Sequence, residues 1–174
     1  MTYLLVFCRV TIGLVFAISS FSKARDFAQF QRALLSFQLL SKRLSRLAAL
    51  LFLGGESAVV LLIIIGGPVL LPGFALAILL LLIFCVALTL VLIRRLYISC
   101  HCFGSSNKPV TRVDIWRNVG FLLCAGGGCE ALLWTHGAQE SLAWMAWLFI
   151  ALSAGVFVMI WIQLGEIVQL FRQE

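Results

Sequence analysis

Two cysteines separated by one residue, Cys100 and Cys102, are the groups in this sequence best suited to chemistry. A disulfide between residues this close closes a small, strained ring, and a strained disulfide is easily reduced. Cationic neighbours and helix N-termini favour the reactive thiolate. A helix is predicted to begin near Asp114, and four basic residues flank the pair: Arg94, Arg95, Lys108 and Arg112. We therefore expect redox or metal chemistry here; two inert loop cysteines are the alternative.

His101, between the two thiols, has three interpretations. As a proton donor or thiolate stabiliser it suits thiol–disulfide exchange. As a solvated loop histidine it has no special role. As the middle ligand of a Cys-His-Cys site it would bind Cu(I) or Zn(II), but three residues this close cannot readily surround a metal. We therefore predict a catalytic histidine and no metal site.

The composition is that of a membrane protein. Of 174 residues, 63% are hydrophobic and 11% charged, and the mean hydropathy is +1.10. No soluble domain of this size needs so much apolar surface. The net charge of +6 is concentrated in two connecting segments, which indicates contact with anionic lipid head groups; no nucleic-acid-binding motif is present.

Five hydrophobic stretches are long enough to cross a bilayer, which takes about 20 residues. We predict a single all-α domain, a membrane bundle of four core transmembrane helices plus a fifth. After the first stretch, Asp26 can cap a short amphipathic helix predicted to lie on the membrane surface. Its apolar face carries Phe27, Phe30, Leu34 and Phe37. The predicted spans are 3–21, 47–65, 74–93, 115–134 and 142–164.

Two arguments about orientation disagree. The segment 22–46 carries six basic residues against one acidic residue, and 94–114 carries four against one, which places both in the cytoplasm by the positive-inside rule. Thiols, however, stay reduced in the cytosol and form disulfides outside it. We favour an extracytoplasmic, periplasmic location for the cysteine loop.

Arg9 and Glu56 are ionisable residues within predicted spans, where such groups are usually paired or functional. An ion pair between them, joining the first two helices, is one interpretation. The other is that Glu56 handles protons beside a bound quinone, the one cofactor that the sequence suggests. Arg117 opens the fourth span, where it is predicted to face the cysteine loop and stabilise a thiolate; snorkelling to lipid head groups is the alternative.

The remaining four cysteines lie in hydrophobic stretches, where cysteine often packs as a small apolar residue. Counting the helical rise from the ends of the predicted spans places Cys8 at about the depth of Cys129 in the membrane, and Cys85 at about the depth of Cys124. A second thiol pair that relays electrons is therefore an alternative to isolated packing.

Several short motifs, in order along about 110 residues, carry a resemblance to a known family. They are Gly13, Ser22-Lys23, Asp26-Phe27, Glu56, Cys100-x-Cys102-Phe103-Gly104 and Trp116-Arg117-Asn118. On these residues the sequence resembles the MauE family of methylamine utilisation proteins, related to the DoxX-like membrane proteins. The resemblance implies a bacterial inner-membrane protein that helps to form disulfides in a periplasmic client, such as the small subunit of an amine dehydrogenase.

Together these observations predict a membrane thiol–disulfide oxidoreductase or disulfide-maturation factor. Cys100 and Cys102 would exchange with a thioredoxin-like carrier or directly with a client protein. The alternative is a non-catalytic assembly protein whose loop binds a partner or a metal.

Overall fold

The computed structural model describes residues 1–36, 42–94, 112–134 and 144–170. These parts contain six α-helices and no strand, which confirms the all-α prediction. The helices are α1 (Thr2–Arg25), α2 (Phe27–Ser36), α3 (Lys42–Ile65), α4 (Leu70–Ile93), α5 (Arg112–Trp134) and α6 (Trp144–Leu170), with a 3₁₀ turn at Gly67–Val69 between α3 and α4.

Four segments of the described chain are long and apolar enough to cross a membrane: Thr2–Arg25, Arg43–Ile65, Gly67–Ile93 and Trp144–Gln163. The chain is therefore an integral membrane helical bundle. Helix α5 forms where the fourth span was predicted, but its composition is less apolar, and it packs mainly against α1 and α4. Its buried residues recur every three or four positions, so one face is turned into the bundle. They are Asn118, Phe121, Ala125, Gly128 and Ala131.

Helices α1 and α3 pack antiparallel, and α2 packs along the N-terminal part of α3 beyond the end of α1. Gly13 faces Ile63, and further along α1 the hydroxyls of Ser20 and Ser57 hydrogen-bond at 3.1 Å. Beyond the break between α1 and α2, the Ser45 hydroxyl donates to the backbone carbonyl of α2 residue Gln31 at 3.2 Å. The short helix after the first span is thus confirmed, and it packs on α3; its place on the lipid surface stays a prediction.

The break between α1 and α2 occurs at Asp26. The Asp26 carbonyl accepts hydrogen bonds from the backbone N–H groups of Gln29 (3.0 Å) and Phe30 (3.1 Å), which start the second helix. Phe30, on the predicted apolar face, is buried. Phe37, also assigned to that face, lies outside the described residues.

At the other end of the α1–α3 pair, the Arg9 side chain caps the C-terminus of α3. The last carbonyls of a helix lack partners within that helix; here Arg9 Nε donates to the Ile63 carbonyl at 2.9 Å and a terminal guanidinium nitrogen to that of Ile64 at 3.0 Å. The chain then turns at Gly66, with φ of 71°. A Cβ at Gly66 would lie 2.5 Å from the Arg9 guanidinium, so the turn needs glycine for both its φ and its space.

Candidate functional site

The most deeply buried charges among the described residues are Lys23 on α1 and Glu56 on α3, which form an ion pair. Their side chains are 1% and 5% exposed. The pair exists because α1 extends to Arg25, beyond the predicted span, so that Lys23 is a helical residue. It follows Phe16 and Ser19 at spacings of three and four, on the face of α1 that is buried in the bundle.

Other polar and aromatic groups complete the environment of this pair. The Ser19 hydroxyl donates to Glu56 Oε1 at 3.1 Å, the oxygen that also binds Lys23 Nζ. The Lys23 ammonium lies 4.6 Å from the ring centroid of Phe84 on α4 and 5.1 Å from that of Phe30 on α2. Both distances are within the range of cation–π attraction, so α1, α2, α3 and α4 all contact one buried ammonium group.

A small cavity adjoins the ion pair. The volume open to the centre of a water molecule is about 20 Å³, enough for about one water. Its walls are largely apolar, with polar groups contributed by Ser19, Lys23, Glu56 and Asn118. Glu56 Oε2 is buried and has no hydrogen-bond partner among the residues that the structure describes.

The site lies towards the end of the bundle to which the cysteine loop is attached. Asn118 is six residues after Arg112, the first residue of α5, and Phe84 is nine residues before Ile93, the last of α4. At about 1.5 Å per residue these separations correspond to about 9 Å and 14 Å along the helices. Of the predicted site residues, Cys100, His101 and Cys102 themselves fall outside the described part of the chain.

Arg117 lies between α5 and α6. Its guanidinium is 3.3 Å from a carboxylate oxygen of Asp114 and donates to the Ile162 carbonyl of α6 at 3.3 Å. Its own carbonyl accepts a hydrogen bond from the Trp161 indole at 3.1 Å. These contacts join α5 to α6 near the cysteine-loop end of the bundle, and the predicted action of Arg117 on the thiols stays a prediction.

The structure corrects two predicted pairings. The predicted Arg9–Glu56 ion pair is wrong, because Glu56 binds Lys23 and Arg9 binds carbonyls at the end of α3. The alternative Cys8–Cys129 thiol pair is not the one observed, because the thiol of Cys8 interacts with that of Cys124. The depth match itself holds, since Cys8 lies against Gly128, the neighbour of Cys129. Depth along the membrane was estimated from span boundaries, which say nothing of how each helix is rotated.

Lys23 is the site residue that the chemical analysis of the sequence missed, because it was counted among the basic residues of a polar connection. It is instead 2% exposed and neutralised by Glu56. The available signal was the continuation of helical spacing from Ile12 through Phe16 and Ser19 to Lys23. An acidic residue alone in the next span was a second signal, since a buried carboxylate needs a cation.

The fold and the site define an integral membrane helical-bundle protein with a buried ion pair near one end of the bundle. Comparison of the sequence narrows this class. The family model described as methylamine utilisation protein MauE matches residues 1–133, and the methylamine utilization protein MauE of Paracoccus denitrificans is 31% identical over 156 residues, which are 85% of this chain and 83% of that protein. The chain therefore belongs to the MauE family, whose members are involved in methylamine utilisation. No solved structure matches it.

Proposed function

We propose that the protein is a membrane thiol–disulfide redox protein that helps to form disulfides in an extracytoplasmic client of methylamine utilisation, such as the small subunit of an amine dehydrogenase. The observation that carries the proposal is the Cys100-x-Cys102 pair, placed by sequence between α4 and α5 in a chain of the MauE family. The bundle would hold that pair at the membrane surface, where an extracytoplasmic protein can reach it.

The proposed reaction is thiol–disulfide exchange. A client thiolate attacks one sulfur of the Cys100–Cys102 disulfide, forming a mixed disulfide and releasing the other cysteine. The second client thiol then attacks the mixed disulfide. The client loses two electrons and two protons and gains a disulfide, while Cys100 and Cys102 are reduced. An oxidised thioredoxin-like carrier regenerates the pair by the reverse exchange. His101 and Arg117 are proposed to favour the attacking and leaving thiolates.

The proposal is tested by co-expressing the full chain with an amine dehydrogenase small subunit and measuring the client's disulfides by alkylation and mass. Cys100→Ser and Cys102→Ser should each abolish client oxidation without changing the amount of inserted protein, because neither position is in a predicted span. Cys85→Ala is the matched control. This thiol lies within α4, and Cys124, its partner in the alternative relay, interacts with Cys8 instead, so oxidation should be unchanged.

The competing function, non-catalytic assembly of a partner, makes a different prediction for the same experiment. A binding loop would tolerate the loss of one thiol. Full client maturation by both single variants would therefore refute the redox function and favour a binding role.

A further inference from the structure

We infer that the Lys23–Glu56 pair is a proton-exchange site coupled to the redox state of Cys100 and Cys102. Glu56 accepts one proton through a water in the adjoining cavity when the disulfide is reduced. The inference rests on the proposed function of the two cysteines, and it assigns a second site to the same reaction.

The two oxygens of the Glu56 carboxylate have unequal surroundings. Oε1 accepts from both Lys23 and Ser19, whereas Oε2 is buried without a partner among the described residues. Leaving a buried carboxylate oxygen unbonded is unfavourable, because nothing compensates the loss of its hydration. Oε2 therefore requires a water or a proton, and either can be added there while Oε1 keeps its hydrogen bonds from Lys23 and Ser19.

The cavity is of the right size and place for that exchange. Its volume of about 20 Å³ takes about one water. Glu56, Lys23 and Asn118 line it and supply polar atoms. A single water in this cavity could carry a proton to Glu56.

The groups around Glu56 suit a carboxylate that changes its charge. Lys23 is the charged group that faces it from α1; α4 contributes Leu80, Leu81 and Phe84 to the cavity. From α5 comes Asn118, whose amide donates to the Asp114 carbonyl at 2.9 Å, and the Asp114 carboxylate pairs with Arg117. When Glu56 is protonated, the Lys23 ammonium loses its counter-ion. Cation–π attraction to the rings of Phe30 and Phe84 then still stabilises it.

By sequence, the cysteines follow the end of α4 that is nearer to this site. Cys100 is six residues beyond Arg94, which directly follows α4, and six extended residues span at most about 20 Å. The site lies about 9–14 Å below the end of the bundle, by the rise of α4 and α5. We expect a charge at Glu56, buried and therefore poorly screened, to influence the stability of a thiolate in the segment between α4 and α5.

The coupled reaction balances as follows. The client loses two electrons and two protons as its disulfide forms. The Cys100–Cys102 disulfide takes both electrons and one proton, which leaves one thiol and one thiolate. The second proton passes through the cavity water to Glu56. The new negative charge on sulfur is thereby offset by the net positive charge of Lys23 beside neutral Glu56.

The first test counts protons. The purified full chain is equilibrated with dithiothreitol redox buffers between pH 6 and pH 8, and the redox state is read from alkylation of the tryptic peptide 96–112, which contains both cysteines. The slope of the potential against pH gives the protons bound per disulfide. Two are expected for the parent and about one for Glu56→Gln. Ser57→Ala, a polar change elsewhere on the α1–α3 interface, should keep two. An equal count in parent and Glu56→Gln would overturn the inference.

The second test needs no variant that risks misfolding. Reduction of the parent protein by dithiothreitol should produce the infrared C=O band of a protonated carboxylic acid, shifted in D₂O. Glu130→Gln is the control, because Glu130 is exposed on α5, and it should retain the band. A parent spectrum without the band on reduction would refute proton uptake by Glu56. Client oxidation that persists in that case would leave the proposed function standing.

Discussion

Arg9 and Glu56, the ionisable residues of the first two predicted spans, belong to different sites in the α1–α3 helix pair. Arg9 contacts the carbonyl of Ile64, which is eight residues beyond Glu56 on α3, or about 12 Å along the helix axis. Glu56 instead binds Lys23 near the opposite end of α1. Arg9 thus caps the C-terminal end of α3, whereas Lys23 forms the buried ion pair with Glu56.

The first prediction is that a second substitution at Lys23, and not one at Arg9, restores stability lost in Glu56→Gln. Glu56→Gln leaves the Lys23 ammonium buried without its counter-ion, and breaking such a pair typically destabilises by about 3–5 kcal/mol. Adding Lys23→Met should recover part of the loss, because the uncompensated charge is removed. Unfolding of the purified variants in detergent, followed by circular dichroism, measures the effect.

Arg9→Met supplies the control for that cycle. Arg9, on α1, contacts α3 about 12 Å from Glu56, and the two side chains share no partner. The effects of replacing them should therefore add to within about 0.5 kcal/mol. Rescue of Glu56→Gln by Arg9→Met rather than by Lys23→Met would contradict the observed pairing.

A second prediction concerns two adjacent glycines of α5. A Cβ at Gly128 would lie 2.7 Å from the Phe74 ring and 3.0 Å from the Cys8 Cβ, whereas one at Gly127 meets nothing within 4 Å. Gly128→Ala should therefore separate α5 from α1 and α4 and destabilise by about 1–3 kcal/mol, as overpacking does. Gly127→Ala should be neutral or slightly stabilising. Thermal unfolding in detergent compares the two, and equal effects would show that α5 does not pack closely at Gly128.

The elements of this fold were more predictable than their contacts. Long apolar runs specify helices in lipid because every backbone group must be bonded within the segment. Four of the five predicted spans accordingly lie within helices, and the fifth overlaps α6 from Trp144 onward. The partner of Glu56 depended instead on how far α1 continues past Phe21 and on which face it buries. Both are set by packing among several helices. Neither can be inferred from the polar residues Ser22-Lys23, which suggest that the helix has already ended.

The dependence on helix packing also explains why the contact between Cys8 and Cys124 was not predicted. Cys8 and Cys124 meet because Gly128, one turn further on α5, lets that helix approach α1 closely at Cys8. Sequence spacing gave the depth of each thiol but not the direction of its side chain. The chemistry of Cys100 and Cys102, in contrast, was inferred from residue types and spacing alone.

The third prediction concerns the tuning of the loop thiols by Arg117. If its guanidinium stabilises a thiolate, Arg117→Gln should raise the pKa of the reactive cysteine, since a cation next to a thiol lowers it. Alkylation of Cys100 and Cys102 at neutral pH should then slow, and the rate should rise at higher pH than in the parent.

Trp161→Phe is the matched control for Arg117→Gln. It removes the hydrogen bond from the indole to the Arg117 carbonyl without removing the charge, so it perturbs the α5–α6 contact alone. A rate–pH profile of Arg117→Gln that superimposes on the parent's would exclude tuning and leave Arg117 a residue that joins α5 to α6.

The last prediction is the side of the membrane that the cysteine loop faces. Helix α4 is 24 residues long, about 36 Å, so its two ends lie on opposite faces of the bilayer. Pro68, in the exposed turn before α4, therefore reports the face opposite to the loop. In a background without Cys8, Cys85, Cys124 and Cys129, a membrane-impermeant maleimide should label Cys100 and Cys102 only from the extracytoplasmic side. In the same background without loop cysteines, Pro68→Cys should be labelled only from the cytoplasm. The burial of Lys23 removes one cation from the positive-inside count that opposes this orientation. The reverse labelling pattern would place the thiols in a reducing compartment and contradict a role in client oxidation.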